Sequence, residues 1–101
     1  MTAQAQTAQV GEAVTTFSWA PYYGTITITN PSAISLFART DGVTTPLSGS
    51  YLGWEQVPPY TTGIFQNNLS LPNANVATAG NATQVQVAAS SSNVQVTVLV
   101  E

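Results

Sequence analysis

The side chains that could do chemistry are few. The chain has no lysine, histidine or cysteine, a single basic residue, Arg39, and four acidic ones, Glu12, Asp41, Glu55 and Glu101. General acid–base catalysis draws mostly on imidazole, carboxylate, amine or thiol groups tuned toward the working pH. Only carboxylates are present here, and the abundant Ser and Thr hydroxyls lack the usual base that would activate one of them. Two carboxylates can serve a glycosidase, and Glu12 with Glu55 would be such a pair, but nothing in their spacing points to it. Transition metals lack their imidazole and thiolate ligands. A calcium loop needs several clustered carboxylates, and DGVTTPLSGS offers one. These residues predict a non-enzymatic protein with no cofactor and no metal site.

Arg39 is the residue that asks for an explanation. It sits in LFARTDGVTTPLSG, two positions before Asp41, which Gly42 follows at once. On an extended strand, positions 39 and 41 share a face. Asp suits the turn because its short side chain bonds local backbone N–H groups and tolerates positive φ. Arg39 is therefore read in two ways, as a staple that fixes its own turn or as a cation that docks on an acidic spot of a partner. A staple of this kind contributes at most about 1 kcal/mol if exposed.

The aromatic residues Trp19, Tyr22, Tyr23, Tyr51, Trp54 and Tyr60 lie near turns and prolines. Exposed together they would stack on sugar rings. The plainer reading is that they fill the ends of a small sandwich with their polar tips in water. Arg39, Asp41, Trp19, Tyr22, Tyr23, Trp54 and Tyr60 form the set of candidate partner-contact residues. Asn68-Leu69-Ser70 and Asn81-Ala82-Thr83 match the glycosylation sequon, a match expected by chance in a chain so rich in Asn and Thr.

Charge sets the limits on partners. Only 5% of residues are charged, against about 25% in an ordinary soluble domain. Duplex binding takes several Lys or Arg contacts to phosphate, so no direct nucleic-acid partner is expected. An anionic membrane surface is disfavoured for the same reason. No apolar run approaches the ~18 residues of a membrane span. MTAQAQTAQVGEA has neither the cationic nor the apolar region of a secretory signal, so the expected origin is the cytoplasm. Sheet edges are usually guarded by charge, lysine above all. Without lysine, the edges must be covered within the fold or meet partners.

The elements that position these residues read as strands throughout. The 101 residues make one domain. Residues 1–12 are small, polar and without period, and are predicted to be a flexible N-terminal arm before a β-domain over 13–101. AVTTFSW is β-prone. In YYGTITITN, Ile26 and Ile28 alternate with Thr25, Thr27 and Thr29, the mark of a half-buried strand. Asn30-Pro31-Ser32 is a turn. In AISLFART, Ile34, Leu36 and Ala38 share one face, and Ser35, Phe37 and Arg39 the other. Asp41-Gly42 signals a hairpin, with Val43 to Leu47 returning. Tyr51 to Val57 reads as a strand bulged near Gly53, and Ile64-Phe65 as a short one. Gln66 to Ala82 reads as a long loop. TQVQVAASSSNVQVTVLV reads as two strands around Ser90–Asn93, with valines alternating against Gln and Thr. The predicted fold class is all-β, a small single-domain β-sandwich or β-barrel of about seven short antiparallel strands.

The order YGTITITNPSAISLFARTDGVTTPLSG, a polar Pro-containing middle, then TQVQVAASSSNVQVTVLVE resembles the small β-rich head-decoration or minor structural proteins of tailed bacteriophages that infect actinobacteria. The resemblance is best over residues 24–49 and looser over 83–101. WEQVPPY and the Asn/Ala-rich stretch after it lie outside the matched pattern. It implies a virion protein made in the host cytoplasm, a capsid decoration protein on the outer surface of the phage head. The implied partners are the major capsid protein or other virion subunits. It also implies a homo-oligomer, a trimer in decoration proteins, with the N-terminal arm reaching a neighbour. The competing expectations are a neck, tail or fibre-associated virion protein and a glycan-binding β-sandwich module using the Trp/Tyr cluster.

Overall fold

Alternating Val or Ile with Thr or Gln gives a strand one apolar face and one polar face, and two sheets of such strands bury the apolar faces against each other. The computed structural model describes residues 3–42, 53–67 and 83–101 and shows this arrangement. The described residues form eight strands: β1 Gln4–Val10, β2 Thr15–Trp19, β3 Thr25–Thr29, β4 Leu36–Arg39, β5 Glu55–Val57, β6 Thr62–Gln66, β7 Thr83–Ala89 and β8 Val94–Val100. One sheet has the order β1-β8-β3-β6 and the other β2-β7-β4-β5. All pairings are antiparallel.

The pairing is nested. β1 pairs with β8, β2 with β7, β3 with β6 and β4 with β5. The chain is thus a doubled ribbon, and the ribbon is wound so that its levels fall alternately in the two sheets. This is the strand order of a jelly roll, a β-sandwich of two Greek keys. Every connection except β4 to β5 crosses from one sheet to the other.

The core follows the alternation. Val94, Val96, Val98 and Val100 of β8, Ile26 and Ile28 of β3, and Val85 and Val87 of β7 are buried, with Phe17, Trp19, Leu36, Val57 and Phe65 packed among them. β-Branched side chains suit such positions because their restricted χ1 loses little on the pleated surface. The opposite residues of the first sheet face outward. Thr7, Thr97, Thr29 and Thr62 stand in one row across its four strands, and Thr7 and Thr97 hydroxyls are 3.0 Å apart.

Several expectations need correction. Residues 1–12 do not form an arm over their length, because Gln4–Val10 is an edge strand paired residue for residue with β8. Its inner face is closed by Val10, fully buried, and by Ala8, partly buried against the core. The fold class is the expected all-β one, a small antiparallel sandwich, with eight strands among the described residues beside the roughly seven read from the sequence. The two closing strands are present on either side of residues 90–93 as expected, β7 in one sheet and β8 in the other. The strand expected over Tyr51 to Val57 is confined, among the described residues, to Glu55–Val57. Gly42 does turn with φ of 82°, but the returning strand Val43 to Leu47 lies outside the described residues. Residues 68–82, with both sequon asparagines, lie outside them too, whereas Gln66 is the last residue of β6.

Candidate functional site

Arg39 ends β4 on the outer face of its sheet, in register with Gln86 of β7. Its guanidinium makes a two-pronged pair with Asp41, Nε donating to Oδ1 at 2.9 Å and Nη2 to Oδ2 at 2.7 Å. The arginine side chain is 14% exposed and the aspartate 30%. The guanidinium carbon lies 5.4 Å from the centre of the Trp54 ring. Gly53 backs the same group: its φ of +84° belongs to the left-handed region, and a Cβ there would meet both terminal nitrogens at 2.9 Å. Hydrogen bonding to Asp41 raises the Arg39 pKa above the ordinary value, against an opposing effect of burial. One cation therefore holds the turn after β4 and lies against the stretch before β5. The geometry has the form of a local staple, with a cation–π contact of roughly 0.5–1 kcal/mol added to the ion pair.

The other candidates do not gather round it. Trp19 and Tyr23 are core residues, 8% and 5% exposed. Tyr22 and Tyr60 are exposed, but at opposite ends of the sandwich. Tyr22 precedes β3, and Tyr60 lies beyond its far end, where Asn30 N–H donates to the Thr61 carbonyl at 2.9 Å. Trp54 is half-buried beneath Arg39. Tyr51 lies outside the described residues. The described aromatics thus form no common platform for a sugar ring. Glu12 lies in the connection from β1 to β2, and Glu55 lies on β5 at the opposite edge of the second sheet. Three inter-strand spacings, about 14 Å, separate those edges, more than a glycosidase pair spans.

Sequence reasoning missed two buried polar clusters. Asn30 is 1% exposed. Its Nδ2 donates to the carbonyls of Ile34, Val57 and Pro58 at 2.8, 3.1 and 3.2 Å. Its Oδ1 accepts from the Ser32 N–H and hydroxyl. Thr83 joins the other end, donating to the Pro21 carbonyl at 2.8 Å and accepting from Tyr23 N–H at 2.8 Å. Asn67 donates to the Tyr23 carbonyl beside it. The turn at Asn30-Pro31-Ser32 was legible; that it closes over the β5–β6 turn was not. β7 also differs from its half-buried pattern, for Gln84 and Gln86 are as buried as its valines. Among the described residues, Gln86 Oε1 has no hydrogen-bond partner.

A groove of about 350 Å3 runs between the edge strands β5 and β6, lined by Thr40, Glu55, Ile64, Phe65 and Gln66. Thr40 crosses its end, donating its hydroxyl to the Gln66 carbonyl at 2.7 Å. A smaller pocket of about 60 Å3 links it to Arg39 and Asp41.

Searches of family models, curated proteins and solved structures each returned no match to this chain.

Proposed function

We propose that this chain is a non-enzymatic virion structural protein, a capsid decoration protein that binds the outer surface of a tailed-phage head. The observation that carries the reading is the uncharged outer face of the sheet β1-β8-β3-β6. Ala5, Thr7 and Gln9 of β1, Gln95, Thr97 and Leu99 of β8, the three threonines of β3, and Thr62, Ile64 and Gln66 of β6 make up that face, and none is charged. Soluble domains normally mix charges over such a surface. A subunit whose face is covered by a shell or by its own copies has no such requirement. The jelly-roll order adds support by analogy of fold, since viral capsid domains use it, though lectins do as well. The scattered aromatics favour the virion reading over the glycan-binding one.

The major capsid protein or another virion subunit is the partner in this reading, and a homo-oligomer, a trimer, is its assembled form. The test is location. Particles from the lysate in which the chain is made are purified, heads are separated from tails on a gradient, and the chain is quantified in each by mass spectrometry. Many copies on heads are expected. A few copies confined to tails would move the protein to the neck or tail, and absence from both would overturn the virion reading.

A further inference from the structure

The two lateral sides of the sandwich are finished differently. On one, Gln6 of β1 donates through Nε2 to the Ser18 carbonyl of β2 at 2.9 Å, tying the two edge strands across the gap. On the other, β5 and β6 stand apart with the groove between them. β5 carries two known defences against strand addition: it is only three residues long, and Glu55, paired with Ala38, is turned to the inner face. β6 has neither. Its sequence TGIFQ has no charge and no proline, and its register with β3 is unbroken.

The free edge of β6 can be read from its ladder. Asn67 N–H donates to the Gly24 carbonyl at 3.0 Å, and Asn30 N–H to the Thr61 carbonyl at 2.9 Å. Antiparallel bonds alternate along a strand, so residues 63 and 65 also bond inward to β3. The backbone groups of Thr62, Ile64 and Gln66 then point away from the sheet. Thr40 satisfies only the Gln66 carbonyl. Among the described residues β6 has no second neighbouring strand.

Charge decides the occupant. Glu55 is exposed and lines the groove, and among the described residues the only ion pair is Arg39 with Asp41. The chain's one cationic side chain is already held by Asp41, so a second copy has no free side-chain cation to offer Glu55. We propose that β6 and this groove are a docking site for an extended segment of a different protein. The segment adds to β6 as a strand and lays a Lys or Arg side chain in the groove, its stem over Phe65 and its head at Glu55. Side chains of an added strand alternate, so every second one enters the groove. This inference deepens the virion reading and rests on it for the identity of the partner as a particle subunit.

The test uses the full chain, 15N-labelled, and a short capped Thr/Val peptide with one central lysine. Amide shifts are expected at Thr62, Ile64 and Gln66. Norleucine in place of the lysine should weaken binding about two- to fivefold, and glutamate should weaken it further. Glu55→Gln should make the lysine and norleucine peptides equal. Ile64→Pro removes an outward donor without touching the β3 ladder and should abolish the shifts; if it does not fold, Glu55→Gln carries the test. No shifts at β6, or a glutamate peptide that binds as well as lysine, would overturn the proposal. So would β6 shifts produced by unlabelled chain alone, which would make the occupant a second copy. Particle fractionation separates the two readings. Wild type and Ile64→Pro found equally on particles would remove the edge site and leave the virion reading. Lysine-dependent shifts in a chain absent from particles would do the reverse.

Discussion

Asn30 shows how much one side chain can organise. Its two amide hydrogens are shared among three carbonyls, of Ile34 in its own turn and of Val57 and Pro58 beyond β5, while its oxygen accepts from Ser32. Asn30→Ala removes the donor and leaves buried carbonyls without it, and is expected to lower the unfolding free energy by about 1–3 kcal/mol. Asn30→Asp should be worse at neutral pH, because an ionised carboxylate only accepts and would face the oxygens of Ile34, Val57 and Pro58. Acid should narrow the gap, since a protonated carboxyl regains one donor while Ala has none. Urea denaturation of both variants across the acid range checks this; equal stabilities at every pH would reject the donor role. Arg39 works on a smaller scale. Its pair with Asp41, its ring contact with Trp54 and the glycine behind it account for the position of the chain's one cation without a partner. The spacing of 39 and 41 made that pairing legible. The backing by Gly53 and Trp54 was not, because fourteen positions or more separate them in sequence from Arg39 and only the fold brings them together.

At the scale of elements, β1 is the instructive case. QAQTAQV offers no bulky alternation, because an edge strand with one face in solvent needs little apolar volume. Val10 and Ala8 meet the core, while Gln6 ties the edge. Composition therefore hid a strand that pairs along its whole length. Removing residues 1–10 exposes β8 as a new edge and uncovers its valines. Burial of Val10 alone is worth about 1.5–3 kcal/mol, so the truncated chain is expected to lose more than about 3 kcal/mol, followed as a fall in melting temperature by circular dichroism. An unchanged melt would mean that β1 adds nothing to the domain. β3 and β8 were legible for the opposite reason: their Ile/Thr and Val/Gln alternation is strict, and the buried set in the structure is the predicted one. What the alternation could not reveal is sheet membership. β7 and β8 carry the same pattern whether they form a hairpin or cross between sheets, and only the nested pairing of all eight strands decides it. The buried Gln84 and Gln86 escaped for a related cause, since polar residues in alternation read as a solvent face.

The whole molecule poses the question of what its neutral surface is for. With a net charge of -3 and the one cation held by Asp41, the described surface offers a partner almost no field to steer by. Apart from Glu55 in the groove, recognition has to rest on shape, backbone hydrogen bonds and the fit of small polar side chains. Two surfaces offer that: the threonine-rich outer face of the first sheet and the β6 edge. They make separable predictions. Thr29 is exposed near the middle of the face, and Thr29→Lys should change monomer stability by no more than about 0.5 kcal/mol. If the face is covered in the particle, the buried lysine would be unpaired there, and attachment should be lost while peptide binding at β6 is unchanged. Ile64→Pro should abolish peptide binding at β6 and lower particle attachment with it. Measuring particle association and peptide affinity for both variants therefore assigns each surface independently. A Thr29→Lys chain that still occupies particles at the wild-type copy number would show that the face stays open to solvent, and its lack of charge would then need another cause than a covering shell.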